Sequence, residues 1–279
     1  MSPDQYCHSK AVTSGSSFYH SFWLLPTVGR RAIMALYAFC REVDDIVDEC
    51  HEPAIAAIKL SWWRQEITSI DNGKPQHPVC IALHAASQHF RLRPELLLEV
   101  IDGMEMDLRH NRYADFNKLR LYCYRVAAVV GQLSAEIFGY RNRETLKYAH
   151  DLGLAFQLTN IIRDVGEDAR RGRIYIPQDE LARFGVSETE IIACNYTDNF
   201  RALMQFQYER ASTFYQKALS RLPKEDCRAQ QPGLSMAAVY RTLLEEIRHS
   251  DYAVLHQRLS LPPARKAWLA FKSWLKPCP

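Results

Sequence analysis

Most of the chain has the composition and spacing of helices rather than of strands. Several segments are apolar nearly all round a helix, and proline or glycine separates them at points typical of helix ends. Pro78 and Pro94 each stand where the first turn of a helix would begin. We predict helices over 29–48, 54–70, 78–90, 94–109, 115–138, 141–166, 178–184, 197–222, 234–249 and 262–275, after a lead-in segment at 1–13.

Strand signals are almost absent from the same pattern. Residues 173–176, Arg-Ile-Tyr-Ile, form the one short run with a β-like composition. The sequence also has no internal repeat and no linker rich in proline or serine. We therefore predict an all-α fold, a single domain over residues 1–279 whose helices form a bundle around a central cavity.

Composition narrows the classes of function. The chain is 47% hydrophobic and 24% charged, and its formal net charge of +3 is too small to indicate a nucleic-acid partner. No stretch of about 18 apolar residues is present, and the polar N-terminus lacks the apolar region of a signal peptide. The eight cysteines are scattered singly, so we expect reduced structural thiols and a cytoplasmic protein.

The candidate chemistry lies in two acidic stretches, residues 41–48 and 157–168. Positions four apart on a helix share a face and lie about 6 Å apart along its axis. The polar side chains that share a face are Asp44 and Asp48 in the first stretch, and Gln157, Asn160, Asp164 and Asp168 in the second.

These acids have two interpretations. An acidic pair on one helix face is most often solvated. Here the acids follow segments 32–40 and 152–156, which are apolar nearly all round and are therefore predicted to be buried. Stacked carboxylates repel one another, and buried acids need partners. A shared cation would satisfy both requirements, and the oxygen ligands favour Mg²⁺, with Mn²⁺ also possible.

Basic residues accompany the acids. Arg41 lies one turn before Asp44, and Arg163 adjoins Asp164. Residues 168–173 add three more arginines in a predicted loop, which is either solvated or folded over bound phosphates. Arginine suits phosphate binding because its planar guanidinium donates two parallel hydrogen bonds.

An apolar cavity beside such a site could hold a hydrocarbon tail and a carbocation. Aromatic faces stabilise cations, although most aromatic residues at helical spacing are simply core residues. The aromatic candidates are Phe18, Phe22, Tyr37 and Tyr122.

At these residues the chain resembles the squalene/phytoene synthase family of head-to-head prenyl transferases. The resemblance covers nearly the whole length, and its most specific part, residues 157–177, is similar to the family's second aspartate-rich signature. Residues 103–108 and 261–270 are more weakly similar to one branch of the family, which makes presqualene diphosphate in bacterial hopanoid biosynthesis. The other matching segments are 16–18, 36–41, 44–48 and 122–124. The resemblance implies a helical bundle of the class I isoprenoid synthase type.

The resemblance also implies roles for individual residues. The implied metal ligands are Asp44 and Asp48 on one wall, and Asn160, Asp164 and Asp168 on the other. The implied diphosphate contacts are Tyr37, Arg41, Arg163, Tyr240 and Arg258. The residues implied to line the reacting centre are Phe18, Phe22, Tyr122 and Gln157.

The implied reaction joins two molecules of farnesyl diphosphate. One loses diphosphate to give an allylic cation, the C2–C3 double bond of the other attacks it, and proton loss closes a cyclopropane. The product would be presqualene diphosphate, made without NADPH and consumed by downstream squalene-forming enzymes. Released diphosphate or Tyr122 would be the base. Phytoene, dehydrosqualene or squalene synthesis is the alternative.

Two other classes of protein remain to be compared. A di-iron carboxylate bundle needs two Glu-x-x-His motifs, and the chain has one, at 246–249. A helical binding module that uses the basic loop would leave the buried acids unexplained.

The last predicted helix carries a basic and aromatic pattern suited to an anionic membrane surface. The alternative is that its aromatic side chains pack against the body of the protein. The residues of the pattern are Arg265, Lys266, Trp268, Phe271, Lys272, Trp274 and Lys276.

Overall fold

The computed structural model describes residues 1–13, 22, 25–50 and 52–275. Over this part of the chain the regular structure is helical, with one isolated β-bridge between Arg112 and Ile174 and no named strand. A π-helical segment, Tyr124–Ala128, joins α6 to α7, and a 3-10 turn, Lys224–Asp226, precedes α12. The α-helices are α1 (Pro3–Thr13), α2 (Thr27–Glu49), α3 (Pro53–Ser69), α4 (Pro78–Ser87), α5 (Pro94–Arg109), α6 (Phe116–Cys123), α7 (Val129–Phe138), α8 (Glu144–Arg170), α9 (Gln178–Phe184), α10 (Glu188–Ile192), α11 (Asp198–Arg221), α12 (Gln231–His249) and α13 (Pro263–Leu275).

The all-α prediction is confirmed, and α5 and α9 begin and end at the predicted residues. The interpretation of residues 1–13 as a lead-in is wrong, because most of them form α1. Cys7 and Ala11 of α1 are buried where the helix packs against α2 and α4. Two apolar positions are too few to give a periodic signal. A polar contact completes the docking, since the Tyr6 hydroxyl donates to Glu42 at 2.7 Å.

The segment 115–138, predicted as one helix, is interrupted by the π-helical turn. There the N–H of Val129 donates to the carbonyl of Tyr124, five residues earlier. A π turn contains one more residue than an α-helical turn, so it changes the face on which the following side chains lie. As a result, Tyr122 before the turn and Val130 after it both line the central cavity.

Buried apolar side chains form two clusters that meet at the π segment. One cluster is built mainly from α1 to α5 together with α7, and the other from residue 113 onward, with α8 at its centre. Tyr124 and Val126 pack against both clusters. Because α8 packs against the π segment, α7, α11 and α12, its residues can form one wall of the cavity between the clusters.

Two glycines permit close backbone contacts with α8. A Cβ at Gly153 would lie 2.6 Å from the carbonyl oxygen of Ala127, so the π segment packs directly on this helix. A Cβ at Gly166 would lie only 2.1 Å from the carbonyl oxygen of Leu255. Arg170 donates to that same oxygen at 2.8 Å and fixes the segment after α12 against α8.

Cys227 is disulfide-bonded, so the expectation of reduced thiols throughout is wrong at this position. Singly scattered cysteines give no information on pairing, which depends on the tertiary structure. The other described cysteines, Cys7, Cys40, Cys50, Cys80, Cys123 and Cys194, are free. Among the helices that the structure describes, none has both the length and the apolar character needed to cross a bilayer.

We predict that Gly166→Ala destabilises the protein, because the new methyl group would collide with a backbone carbonyl that Arg170 holds in place. The loss in the free energy of unfolding should reach the upper end of the roughly 1–3 kcal/mol typical of overpacking. Gly29→Ala is the matched control, since its nearest neighbours would be 3.9 Å away. That variant should gain up to about 1 kcal/mol from helix propensity. Urea unfolding checks both, and equal stabilities would contradict the prediction.

Candidate active site

The helices enclose a cavity of about 330 Å³ whose walls are mainly apolar. The cavity lies between α2, α5, the π segment, α7, α8 and α12. The predicted site residues that line it are Phe22, Tyr37, Arg41, Asp44, Tyr122, Gln157, Asn160 and Tyr240. Phe18, also predicted, lies outside the described residues. Arg41 and Asp44 stand at one end, which we call the mouth, together with Asn160. The other predicted residues, Asp48, Arg163, Asp164, Asp168 and Arg258, do not line the cavity and are described below with the mouth.

The first acidic wall of the mouth belongs to α2. Arg41 donates to Asp44 at 2.7 Å and to Asp45 at 2.5 Å, because residues three and four apart lie together on a helix. Burial raises the pKa of Asp44 to about 6; Arg41 opposes this shift, and Asp48 adds to it. Arg41 therefore compensates the negative charge of this wall only in part.

The second acidic wall belongs to α8. Asp164 receives hydrogen bonds from Arg163 and from Arg258, and the Nε atom of each lies 2.8 Å from the same carboxylate oxygen. Burial alone would raise the pKa of Asp164, but the two arginines outweigh it and lower this pKa. At Asp168, burial and the nearby Asp164 raise the pKa to about 7, although Arg173 opposes them.

Asn160 leaves a polar atom unpaired between the two walls and the cavity. Its Nδ2 donates to Gln157 at 3.3 Å, while its Oδ1 is buried and has no hydrogen-bond partner among the described residues. Such an unsatisfied acceptor costs about 1–3 kcal/mol. An amide oxygen is also a ligand type that hard divalent cations accept.

The basic loop after α8 reaches across to the first wall. Arg173 donates to Asp48 at 2.9 Å and to the carbonyl of Val47 at 3.3 Å, and Arg171 donates to Asp48 at 3.3 Å. The Arg173 side chain is only 19% exposed, which excludes a fully solvated loop. Within the described residues, no three acidic, histidine or cysteine side chains converge on one point. The carboxylates Asp44, Asp48 and Asp164 are instead paired with arginines.

Asp107 of α5 is a site residue that sequence reasoning missed. Its carboxylate accepts hydrogen bonds from Tyr122 and Tyr175, each at 2.8 Å. Burial raises the pKa of Asp107 to about 6; the two hydroxyls and Arg173 oppose this shift, and Asp44 adds to it. Asp107 therefore lies within electrostatic range of the charged mouth.

A stack of three tyrosines surrounds Asp107. The ring of Tyr175 stacks on Tyr122 with centroids 5.2 Å apart and on Tyr113 with centroids 5.9 Å apart. The segment 103–108 contributed to the family resemblance, but it gave no role for its acid. The one sequence feature that could have indicated Asp107 is an acidic residue within a partly apolar helix. Its hydrogen-bond partners, Tyr122 and Tyr175, are distant in sequence and could not be inferred from it.

Tyr148 of α8 closes the end of the cavity opposite the mouth, which we call the floor. Its side chain is 1% exposed, and its hydroxyl has no hydrogen-bond partner among the described residues. That oxygen lies 3.0 Å from where a Cβ of Gly233 would be. Gln230 donates to the Gly139 carbonyl at 2.9 Å and ties α12 to the end of α7. Tyr148 precedes Asn160 by twelve residues, which places the floor about 18 Å from the mouth along α8.

Comparisons with known proteins agree with this arrangement. Phytoene synthase of Arthrospira platensis is 36% identical over 275 residues, which cover 94% of this chain and 89% of the relative. The 15-cis-phytoene synthase of Synechococcus elongatus is 35% identical over 272 residues, covering 93% of this chain and 88% of the relative. Phytoene synthase 3 of Zea mays is 36% identical, and the match covers 98% of this chain but 64% of that longer protein.

Solved structures share the fold. A dehydrosqualene synthase in complex with a ligand superposes with a TM-score of 0.89 at 29% identity, covering 97% of this chain and 95% of that one. The squalene synthase HpnC from Alicyclobacillus acidocaldarius superposes with a TM-score of 0.79 at 26% identity, covering 90% of this chain and 94% of that one.

The model of the squalene/phytoene synthase family matches residues 11–265, which include both acidic walls and the floor of the cavity. The fold, the long relatives at 35–36% identity and this match lead to the same conclusion. The chain belongs to the squalene/phytoene synthase family, whose members are prenyl transferases with an all-helical isoprenoid synthase fold.

Proposed function

We propose that the protein joins two molecules of farnesyl diphosphate head to head, giving presqualene diphosphate, inorganic diphosphate and a proton. The observation that carries this proposal is the placement of two acidic walls at the mouth of an apolar cavity. A prenyl diphosphate has the same division, with an anionic head and a hydrocarbon tail. A squalene-forming enzyme would then consume the product.

The residues present fit a divalent cation. The unpaired Oδ1 of Asn160 and the raised pKa values of Asp44 and Asp168 mark oxygen atoms whose negative charge is not fully compensated. An all-oxygen donor set suits Mg²⁺, or Mn²⁺ in its place. The residues that would hold it are Asp44, Asp48, Asn160, Asp164 and Asp168. Bound Mg²⁺ would supply positive charge that favours the departure of diphosphate.

The arginines of the mouth would bind and orient the diphosphate groups. Arg163 lies on the wall of α8, Arg258 donates to the same wall from the segment after α12, and Arg41 lies on the wall of α2. Their bonds to carboxylates hold the guanidinium groups in place before substrate arrives. Tyr37 and Tyr240, which line the cavity beside them, would add hydroxyl contacts at its entrance.

Tyr122 would stabilise the carbocation through its ring rather than accept the proton. Burial and the neighbouring Asp107 raise the pKa of Tyr122 well above its ordinary value, so the phenol stays neutral. Its hydroxyl already donates to Asp107 at 2.8 Å, which fixes the ring in the cavity wall. We therefore favour released diphosphate as the base that takes the proton when the cyclopropane closes. Phe22 and Gln157 would line the same reacting centre.

We expect the floor of the cavity to suit farnesyl tails. Tyr148 fills the end of the cavity with a fully buried ring, and Gln230 fastens the adjoining helix ends. A geranylgeranyl tail is one isoprene unit longer, so we expect it to reach this ring. The two solved relatives above are named for squalene-type products, in agreement with the shorter substrate.

Phytoene synthesis is the second candidate function. The observation in its favour is that the relatives at 35–36% identity over nearly the whole chain are named phytoene synthases. This activity would require geranylgeranyl diphosphate as substrate and a cavity that accepts the longer tail.

We predict that activity requires Mg²⁺ or Mn²⁺ and is lost in EDTA. Asp44→Asn, Asp48→Asn, Asp164→Asn and Asp168→Asn should each lower turnover by about 100-fold or more, because charge stabilisation by a metal contributes several kcal/mol. Glu49→Gln, next to Asp48 on the exposed end of α2, should keep full activity. Diphosphate release measured with farnesyl diphosphate checks these values, and full turnover in EDTA would refute the metal site.

We predict that Asp168→Asn stabilises the metal-free protein at about pH 8. The pKa of Asp168 is raised to about 7 in the folded protein, so the folded state holds the proton more tightly than the unfolded state. This carboxylate therefore makes stability fall as pH rises from roughly 4 to 7. Removing it should raise the free energy of unfolding by an amount on the order of 2 kcal/mol at about pH 8, and by less toward about pH 4.

Urea unfolding at both pH values provides the measurement. Added Mg²⁺ should raise the stability of the parent at about pH 8 more than that of Asp168→Asn. Glu49→Gln should have the same free energy of unfolding as the parent at both pH values, with and without Mg²⁺. An identical response of the parent and Asp168→Asn to Mg²⁺ would exclude this carboxylate as a ligand.

We predict presqualene diphosphate as the main product, even with excess NADPH. The test is incubation with farnesyl diphosphate and Mg²⁺, followed by phosphatase treatment and mass analysis, with presqualene alcohol as the expected species. Accumulation of squalene, dehydrosqualene or hydroxysqualene would overturn the assignment.

The same assay with geranylgeranyl diphosphate separates the two candidate functions. The parent should prefer farnesyl diphosphate, and Tyr148→Ala should gain activity on the longer substrate by about tenfold or more because it deepens the floor. Tyr148→Phe keeps the ring and should keep the parent's preference. Efficient conversion of geranylgeranyl diphosphate to phytoene by the parent would establish the second candidate instead.

A further inference from the structure

The C-terminal helix α13 carries an apolar face that points away from the rest of the protein. None of its residues is buried. Trp268 is 59% exposed, Phe271 49% and Trp274 55%. The rings follow one another along the helix, with centroid distances of 6.0 Å and 6.3 Å. The alternative that these aromatic side chains pack against the body is therefore wrong.

The opposite face of α13 is attached to α12. Arg265 forms an ion pair with Glu246 at 2.6 Å near one end. Leu269 packs on the core, and the Ser235 hydroxyl lies 3.5 Å from the Ala270 carbonyl in the middle. The helix is thus held in one orientation, and its aromatic face is fixed outward.

The position of α13 relates this face to the cavity. The helix runs antiparallel to α12, with Arg265 beside Glu246 and Ser273 3.5 Å from Gln231. Residues at the start of α12 belong to the floor, and Tyr240 further along it belongs to the mouth. The exposed face therefore extends along the outside of the cavity wall, from the mouth to the floor.

The charge of the helix indicates what covers this face. Residues 263–275 contain no acidic residue, and of their three basic ones Arg265 is paired with Glu246 and Lys266 is half-buried near Arg163 and Arg258. Lys276 of the predicted pattern lies outside the described residues. Lys272 is exposed and follows Phe271 directly, so a positive charge stands at the border of the aromatic face. Tryptophan rings with a polar edge and an adjoining basic group suit the interface of a bilayer that carries negative charge.

We propose that the aromatic face of α13 docks onto the surface of a bilayer containing anionic lipid. Docking would bury Trp268, Phe271 and Trp274 at the level of the lipid headgroups, with Lys272 against their phosphates. The long axis of the cavity would then lie parallel to the bilayer surface. This proposal concerns binding alone, and it stands or falls separately from the choice of substrate.

The test is co-sedimentation of the full chain with vesicles of phosphatidylcholine alone and with vesicles that also contain phosphatidylglycerol. We expect binding to the second kind, weakened by salt, with a blue shift of tryptophan emission. The triple variant Trp268→Ala, Phe271→Ala and Trp274→Ala should bind about tenfold more weakly or worse, and Lys272→Glu should also weaken binding. The matched control, Ile58→Ala with Ile192→Ala, removes apolar side chains that are 70% and 53% exposed elsewhere, and it should bind like the parent.

Thermal unfolding and sedimentation velocity without vesicles complete the experiment. The triple variant should unfold at the parent's temperature, since its three rings point outward. Equal binding by the parent and the triple variant, or no binding by the parent, would overturn the proposal. A dimer of the parent that the triple variant abolishes would also overturn it, by assigning the face to a second copy of the chain.

Discussion

The structure depends on holding several carboxylates at the rim of an apolar cavity. Removing ionised groups from water is costly unless opposite charge and hydrogen bonds replace the solvent. Arginines from three parts of the chain provide this compensation. Arg41 lies on the same helix as Asp44, Arg173 comes from the loop after α8, and Arg258 comes from the segment after α12. The compensation is incomplete at Asp44 and Asp168, whose pKa values stay raised. The protein thus retains a site where added positive charge is favourable.

The need to compensate these buried carboxylates explains two features of the packing, at Gly166 and at Asp107. Gly166 allows the backbone of Leu255 to lie directly on α8, and that contact brings Arg258 to Asp164. Asp107 fixes Tyr122 from α6 and Tyr175 from the loop after α8, so one acid joins two segments at the cavity wall. Close backbone packing and buried hydrogen bonds therefore determine where the charged side chains stand.

Local patterns predicted the helices and the two acidic walls because both depend on residues within a few turns of each other. Asp44 and Asp164 could be predicted to lie at least partly out of solvent, since the apolar residues of the same helices are adjacent in sequence. The partners across the site could not be assigned in this way. Arg173 and Asp48 are separated by 125 positions, and Tyr175 and Asp107 by 68. The packing of α2, α5 and α8 brings these residues together, and the spacing of apolar residues within a single helix contains no information about that packing. Tyr148 was likewise missed, because its position at the floor depends on α12.

The π turn at Tyr124–Ala128 has a consequence for how this chain can vary. Its additional residue sets the angular relation between Tyr122 on one side and Val130 on the other. If the same residues formed an uninterrupted α-helix instead, the side chains of α7 would be turned by about 100° relative to α6. Apolar side chains would then turn away from the substrate space, and polar ones would enter it. With this number of residues the shape of the cavity therefore depends on the π turn, whereas loss of one residue would convert it to an α-helical turn and leave the following faces in place.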